Sequence, residues 1–285
     1  MCDAQEGESW RCRRERELLR ATARFGSSER MTRLLVALAF NLVAATAAAA
    51  DCPGNPAALG TARVLTVDPA STPRVGRKHF PVTLPLASKE LVLTFDDGPW
   101  PTTTPRVLDA LKRECVRATF FLLGRNAVAF PALARRELAE GHTVAHHTYS
   151  HPLLSRMALP RAMAEIDRGI AAVETALYGE ARPTERAPVT PFFRFPGFAS
   201  KPALLDQLQR RGIAVFGADL WAGDWNQMAP ATEMNLVMNR LTAVGGGIVL
   251  FHDTQRATAA MLPALLRELK RRDFRVVHVV APSAR

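Results

Sequence analysis

The chain has 285 residues, of which 48% are hydrophobic, and a mean hydropathy near zero, so it is long and apolar enough to bury a core and reads as globular and soluble. Its formal net charge of +10 comes without a nucleic-acid motif or an aromatic-interleaved basic stripe, which argues against a nucleic-acid partner. It leaves attraction to an anionic wall or membrane surface, or plain solubility, as the readings of the charge. No run of eighteen apolar residues follows residue 50, so no transmembrane segment is expected in the mature chain.

Residues 1–30 are rich in Arg and Glu and show no apolar periodicity beyond a short stretch near Leu18. Residues 31–50 have a basic start at Arg33, an apolar run and small residues ending Ala48-Ala49-Ala50, the layout of a secretory signal peptide cleaved before Asp51. Met31 is therefore read as the true start, with 1–30 a non-native or disordered extension. A long leader or a cytoplasmic tail on an anchored protein is the alternative. Export to the periplasm, cell envelope or exterior is expected. Cys2 and Cys12 belong to the discarded part. Cys52 and Cys115 remain, an even number in an oxidising compartment, which admits one disulfide without deciding it.

Residues 51–88 are rich in Pro, Gly and small side chains and read as an irregular lead-in. From 89 to 280 short apolar runs (91–95, 118–123, 142–145, 192–195, 213–216, 247–251 and 275–280) alternate with amphipathic stretches. Thr104-Pro105, Pro131, Pro160 and Ser200…Pro202 suit helix starts, and Gly141 and Gly212 suit helix ends. Strands alternating with helices predict parallel βα units, and the absence of a glycine-rich dinucleotide loop favours a barrel-like (β/α) arrangement over an open doubly wound sheet. Both place functional residues beyond the carboxyl ends of strands.

Unusual polar residues stand at those ends. Asp96-Asp97-Gly98-Pro99 follows the first run of the regular region; turn chemistry accounts for Gly98 and Pro99 but not for two adjacent carboxylates. Four of seven histidines fall between His142 and His151, and the His147/His151 spacing lets two imidazoles meet one metal from a tight loop, since Pro152 disfavours a helix there. One Asp with two His makes a three-ligand set with open positions, suited to a divalent ion, zinc first and cobalt or nickel as substitutes. Arg194 lies between aromatics at another strand end, where pairing with a carboxylate is expected. Two acids and two tryptophans lie within Asp219–Trp225, where sugar contacts and core packing weigh equally. His252 ends an apolar run, where a satisfied core histidine is the ordinary reading; Asp253 after it is read as a helix cap.

In order and spacing these motifs resemble the polysaccharide deacetylase family (the NodB-homology domain, carbohydrate esterase family four) over about residues 89–280. The TFDDGP motif stands at 94–99 and the H-[ST]-x-x-H motif at 147–151; Asp224-Trp225 and Leu250-Phe-His252 match the fourth and fifth. The third motif, Arg194-Phe-Pro-Gly-Phe198, departs from the family's R-P-P-Y-G, which bears on substrate preference.

The resemblance implies an α/β fold, a distorted (β/α)7-8 barrel forming a single catalytic domain, and a hydrolase that removes N-acetyl groups from N-acetylated carbohydrate. Asp97, His147 and His151 would be metal ligands and Asp96 the general base, oriented by Arg194. His252 would be the general acid, tuned by Asp224, and Phe198, Trp225, Trp221 and Leu250 would be substrate contacts. A backbone N–H near Phe198 would stabilise the oxyanion, and His146, where relatives often carry Asn, would be a partner of the ligands or a mere neighbour. An O-acetyl ester or small cyclic amide as substrate, and a non-catalytic carbohydrate-binding protein, are the alternatives. No protein partner is evident.

Overall fold

The computed structural model describes residues 52–181, 183 and 186–283. The expected extension and signal peptide lie outside the described residues. No helix among the described residues is long and apolar enough to cross a membrane.

Ten strands and seven helices follow one another along the described chain. They are β1 (Thr61–Thr66), β2 (Arg74–Val75), β3 (Glu90–Asp96), α1 (Thr104–Arg113), β4 (Thr119–Leu122), α2 (Gly124–Ala129), α3 (Pro131–Ala139) and β5 (Thr143–His146). Then come α4 (Leu159–Tyr178), β6 (Phe192–Phe193), α5 (Pro202–Arg210), β7 (Ala214–Phe216), β8 (Leu220–Trp221), α6 (Pro230–Val244), β9 (Gly247–His252), α7 (Arg256–Arg271) and β10 (Arg275–Val280). Prolines set most of the helix starts and glycines several of the ends. Proline occupies the first turn of α1, α3, α4, α5 and α6. Gly141 and Gly212, two residues past the ends of α3 and α5, take the left-handed conformation of a helix terminator.

All strand pairs are parallel. The order runs β8-β9-β3-β4-β5-β6-β7-β2, while β10, with β1 on its outer edge, joins only Glu90 and Leu91 of β3. This is the expected distorted barrel, with one seam between β2, on the outer edge of β7, and β8 that no strand pairing closes among the described residues.

Alternation along the strands decides what faces inward. On β3, Leu91, Leu93 and Phe95 join the core beneath the helices, where Phe120, Leu122, Val249 and Phe251 meet them. Val92 turns the other way, into the barrel interior with Phe121, Ala145, Phe192, Phe216 and Ile248. The same parity turns Thr94 and Asp96 inward, and the register places Asp96 opposite His252. A two-residue rhythm of apolar side chains thus delivers two ionisable groups to the top of one barrel.

The lead-in differs from the irregular segment expected. It carries β1 and β2, and after β2 it runs along the open seam. Gly217 N–H donates to Val75 O (2.6 Å), and Lys78 N–H donates to Ala218 O (3.0 Å). Gly76, at φ 111°, allows this approach, because a Cβ there would come to 2.5 Å from Ala218 N. Asp219 fastens the same seam: its carboxylate accepts from Arg77 N–H (2.8 Å), Thr83 Oγ1 (2.7 Å) and Ile248 N–H (2.7 Å). Pattern reading missed β2 and β8 because two residues are too few to show a period, and β1 because its six residues, half-buried or exposed at the sheet edge, form no apolar run. The Cys52–Cys115 disulfide is formed, with Cα atoms 5.7 Å apart, and ties the lead-in to the end of α1.

Candidate active site

The turn after β3 and the loop after β5 bring Asp97, His147 and His151 together, with one ligand atom of each within 4.8 Å of the others. Asp97 Oδ1 lies 3.5 Å from His147 Nε2 and 3.4 Å from His151 Nε2. Tetrahedral ligands about 2 Å from a common centre stand about 3.3 Å apart, so the spacing suits a divalent ion. The chemistry of the atoms suits it too. Asp97 Oδ1 is buried and has no hydrogen-bond partner. His147 Nδ1 lies 2.7 Å from the Arg194 carbonyl, which fixes Nδ1 as the donor and leaves the Nε2 lone pair facing Asp97. Burial lowers the pKa of His147, against the nearby Asp96 and Asp97 charges that raise it, so a neutral imidazole is favoured.

Backbone strain collects at this place. Asp97 (φ 75°), Thr148 (φ 70°), His151 (φ 69°) and Phe198 (φ 55°) all occupy the left-handed region that side chains with a Cβ avoid. Each such residue costs on the order of 1 kcal/mol and persists where surrounding structure over-determines it. One such restraint is visible. Asn126 Nδ2 donates to Asp97 O (2.7 Å).

Asp253 abuts the same turn. It does not cap the helix that follows, as expected from its position; α7 begins at Arg256 after Gln255, with no side-chain cap. Its carboxylate is instead fully buried, accepts from Thr104 Oγ1, and sits so close that a Cβ on Gly98 would meet Asp253 Oδ2 at 2.2 Å. The glycine of the turn is therefore required by packing as well as by turn chemistry.

Asp96 stands beside the triad, and its Oδ1 accepts from Arg194 Nη1 at 2.7 Å. Arg194 is fully buried. It also donates to Thr94 Oγ1 (2.8 Å), Phe216 O (3.3 Å) and Gly217 O (2.9 Å), and stacks 4.2 Å from the Phe121 ring centroid. The Asp96 Oδ2 atom lies 3.8 Å from His147 Nε2. Across the opening, His252 Nδ1 lies 2.8 Å from Asp224 Oδ1, while Asp224 Oδ2 accepts from His252 N–H (2.6 Å) and Thr258 Oγ1 (2.9 Å). Burial lowers the His252 pKa, but the Asp224 hydrogen bond and charge outweigh it and carry the imidazole up to about 9.

These groups share one pocket of about 450 Å³ with Phe195, Phe198, Trp221, Trp225 and Leu250. Every site residue expected from the sequence is in or directly behind it: Asp96, Asp97, His147, His151, His252, Phe198, Trp225, Trp221 and Leu250 line it, and Arg194 and Asp224 are bonded to lining residues. His146 is buried on the opposite face of its strand end and does not line the pocket. Of the backbone N–H groups near Phe198, its own donates to Phe195 O at 2.9 Å. Four lining residues lie outside the expected set: Phe195 and Gly197, which belong to the third motif, and His79 and Gln255. His79 comes from the lead-in, where nothing local distinguishes a lone histidine.

A family model described as "Polysaccharide deacetylase" matches residues 84–216. The chain is 33% identical over 192 residues to the peptidoglycan-N-acetylglucosamine deacetylase PgdA of Listeria monocytogenes, covering 67% of this chain but only 38% of that protein. It is 34% identical over 199 residues to a chitooligosaccharide deacetylase of Bradyrhizobium, covering 63% of this chain and 86% of the relative. Among solved structures, a peptidoglycan deacetylase of Bdellovibrio bacteriovorus superposes with a TM-score of 0.67 at 30% identity, over 78% of this chain and 59% of that one. With the motif residues gathered in one pocket and these likenesses spanning most of the described chain, the protein belongs to the polysaccharide deacetylase family.

Proposed function

We propose that this chain is a metal-dependent hydrolase that removes N-acetyl groups from the N-acetylhexosamine units of a polysaccharide or oligosaccharide of the peptidoglycan or chitooligosaccharide kind. The observation that carries the reading is the flanking of the Asp97/His147/His151 triad by two hydrogen-bonded acid–base pairs, Arg194–Asp96 and Asp224–His252. Asp97 Oδ1 and the Nε2 atoms of His147 and His151 would hold one divalent ion, with zinc as the first choice and cobalt or nickel as substitutes. When bound, such an ion acts as a Lewis acid toward the amide carbonyl and makes a water molecule more acidic.

The remaining chemistry falls to the side chains. Asp96 is oriented by the buried guanidinium of Arg194 through its Oδ1, and its Oδ2, which Arg194 leaves free, takes the proton of the attacking water. His252, protonated because Asp224 stabilises the imidazolium, donates its Nε2 proton to the leaving amine as the C–N bond breaks. The apolar wall of Phe198, Trp221, Trp225 and Leu250 seats the acetyl methyl and the sugar face.

Export to the periplasm, envelope or exterior accords with the leader at residues 31–50 and with the Cys52–Cys115 bridge, since such bridges persist in oxidising compartments. The catalytic domain then runs from β1 to β10, beyond the 89–280 segment expected from motifs. The test is acetate release by the metal-loaded protein from N-acetylglucosamine oligomers and peptidoglycan, beside acetylated xylan. Release from the first two supports the reading; release from xylan alone would make the chain an ester hydrolase, and release from none a binding protein.

A further inference from the structure

The pocket is walled by a run of rings that crosses the open seam of the barrel. Phe198 stacks on His79 (centroids 3.7 Å apart, 21° between planes), His79 approaches Trp221 (6.4 Å), Trp221 approaches Trp225 (6.0 Å), and Trp225 meets His252 edge-on (6.0 Å). Phe198 follows β6 and Trp221 lies on β8; the single ring linking them belongs to neither, but to the lead-in. The backbone contacts of Lys78 with Ala218 and of Val75 with Gly217 set that segment in the seam, and the His79 Nδ1 edge lies over Gly217, where a Cβ would come within 3.0 Å of it. Residue 79 also lies outside the segment 84–216 that the family model matches.

The chemistry of the wall gives His79 a task. A sugar presents an apolar face and several hydroxyls, and pockets orient such ligands through a few well-placed polar groups. Asp96, Asp97, His147, His151 and His252 are occupied by the reaction. Beside the donor-only indole N–H groups of Trp221 and Trp225, the polar side chains left in the wall are His79 and Gln255, each able to donate and to accept. Of these two, His79 is the one stacked among the rings on which a sugar face would rest.

We propose that His79 is a substrate-contacting residue. Its imidazole hydrogen-bonds a hydroxyl of the N-acetylhexosamine unit seated on Phe198 and Trp221, so that the lead-in completes the carbohydrate site. This rests on the proposed deacetylase reading and specifies how that site grips its substrate.

The experiment titrates the full chain, metal-free and metal-loaded, with the tetramer of N-acetylglucosamine, following tryptophan fluorescence and, in the loaded protein, acetate release. His79→Ala and His79→Phe are each expected to weaken binding by about tenfold, the worth of one hydrogen bond, with KM raised accordingly and kcat within about threefold of wild type. His79→Gln, which keeps a donor and an acceptor, is expected to recover most of the affinity. A His79→Phe protein that binds like wild type would reduce the residue to a stacking spacer and overturn the proposal, as would a His79→Ala protein within about twofold of wild type. A wild type that binds and deacetylates the tetramer beside an equally competent His79→Ala overturns this proposal alone. A wild type that does neither overturns the deacetylase reading with it.

Discussion

Replacing Asp224 by Asn removes the charge beside His252 while keeping the shape of the side chain. In the wild type, Asp224 holds His252 at about 9 against a burial penalty that acts the other way. Without the carboxylate the imidazole returns toward, or below, its ordinary value of about 6.5. At pH 7.5 a group with pKa about 9 is about 97% protonated and one at about 6.5 only about 9%, so the supply of the acid form falls about tenfold. The same pair stabilises the fold. Because the folded pKa is raised, the contribution, on the order of 3 kcal/mol, is complete below about pH 6.5 and is lost as pH rises through about 9. NMR titration of His252 in the metal-free protein reads the shift directly. Denaturant melts at pH 6 and pH 10 should show Asp224→Asn destabilised at the first and nearly equal to wild type at the second. In the loaded enzyme the alkaline limb of the kcat profile should move to lower pH. A His252 that titrates at the same pH in both proteins would refute the assignment of Asp224 as its tuner.

Asp96→Asn should retain metal, measured by elemental analysis, while turnover falls by about 100-fold or more, the range for losing a general base; undiminished turnover would remove Asp96 from that role. Gly98→Ala forces a Cβ to 2.2 Å from Asp253 Oδ2, so denaturant melts should show about 1–3 kcal/mol lost to overpacking. A variant as stable as wild type would mean that the turn has room the contact denies. Cys115→Ser opens a loop with a sequence separation of 63 residues. Chain entropy puts the loss at about 4 kcal/mol, to be compared with reduced wild type in the same assay, where the two should coincide.

The legible part of this protein is the part whose signal is local. Thr94–Pro99 and His147–His151 state their chemistry within a few residues, and the alternation of Leu91, Leu93 and Phe95 with Val92, Thr94 and Asp96 shows which side chains turn inward. What escaped the reading depends on contacts made across the chain. His79 enters the site through the seam opposite residues about 120 to 145 positions later, and Asp253, which reads as a helix cap, is packed against Gly98 instead. The Phe198 N–H is engaged in a turn that donates to Phe195 O, which no local pattern announces. Short strands, a carboxylate wedged against a glycine and a bridging imidazole leave no period or motif.

The central claim is a single divalent ion held by Asp97, His147 and His151, and X-ray absorption spectroscopy of zinc-loaded protein beside His151→Ala tests it most directly. The expected result is one ion per chain with one carboxylate oxygen and two imidazole nitrogens at about 2.0–2.2 Å in the wild type, and loss of the ion in the variant. Full occupancy in His151→Ala with an unchanged spectrum, or a wild type whose bound ion shows no imidazole scattering, would contradict it.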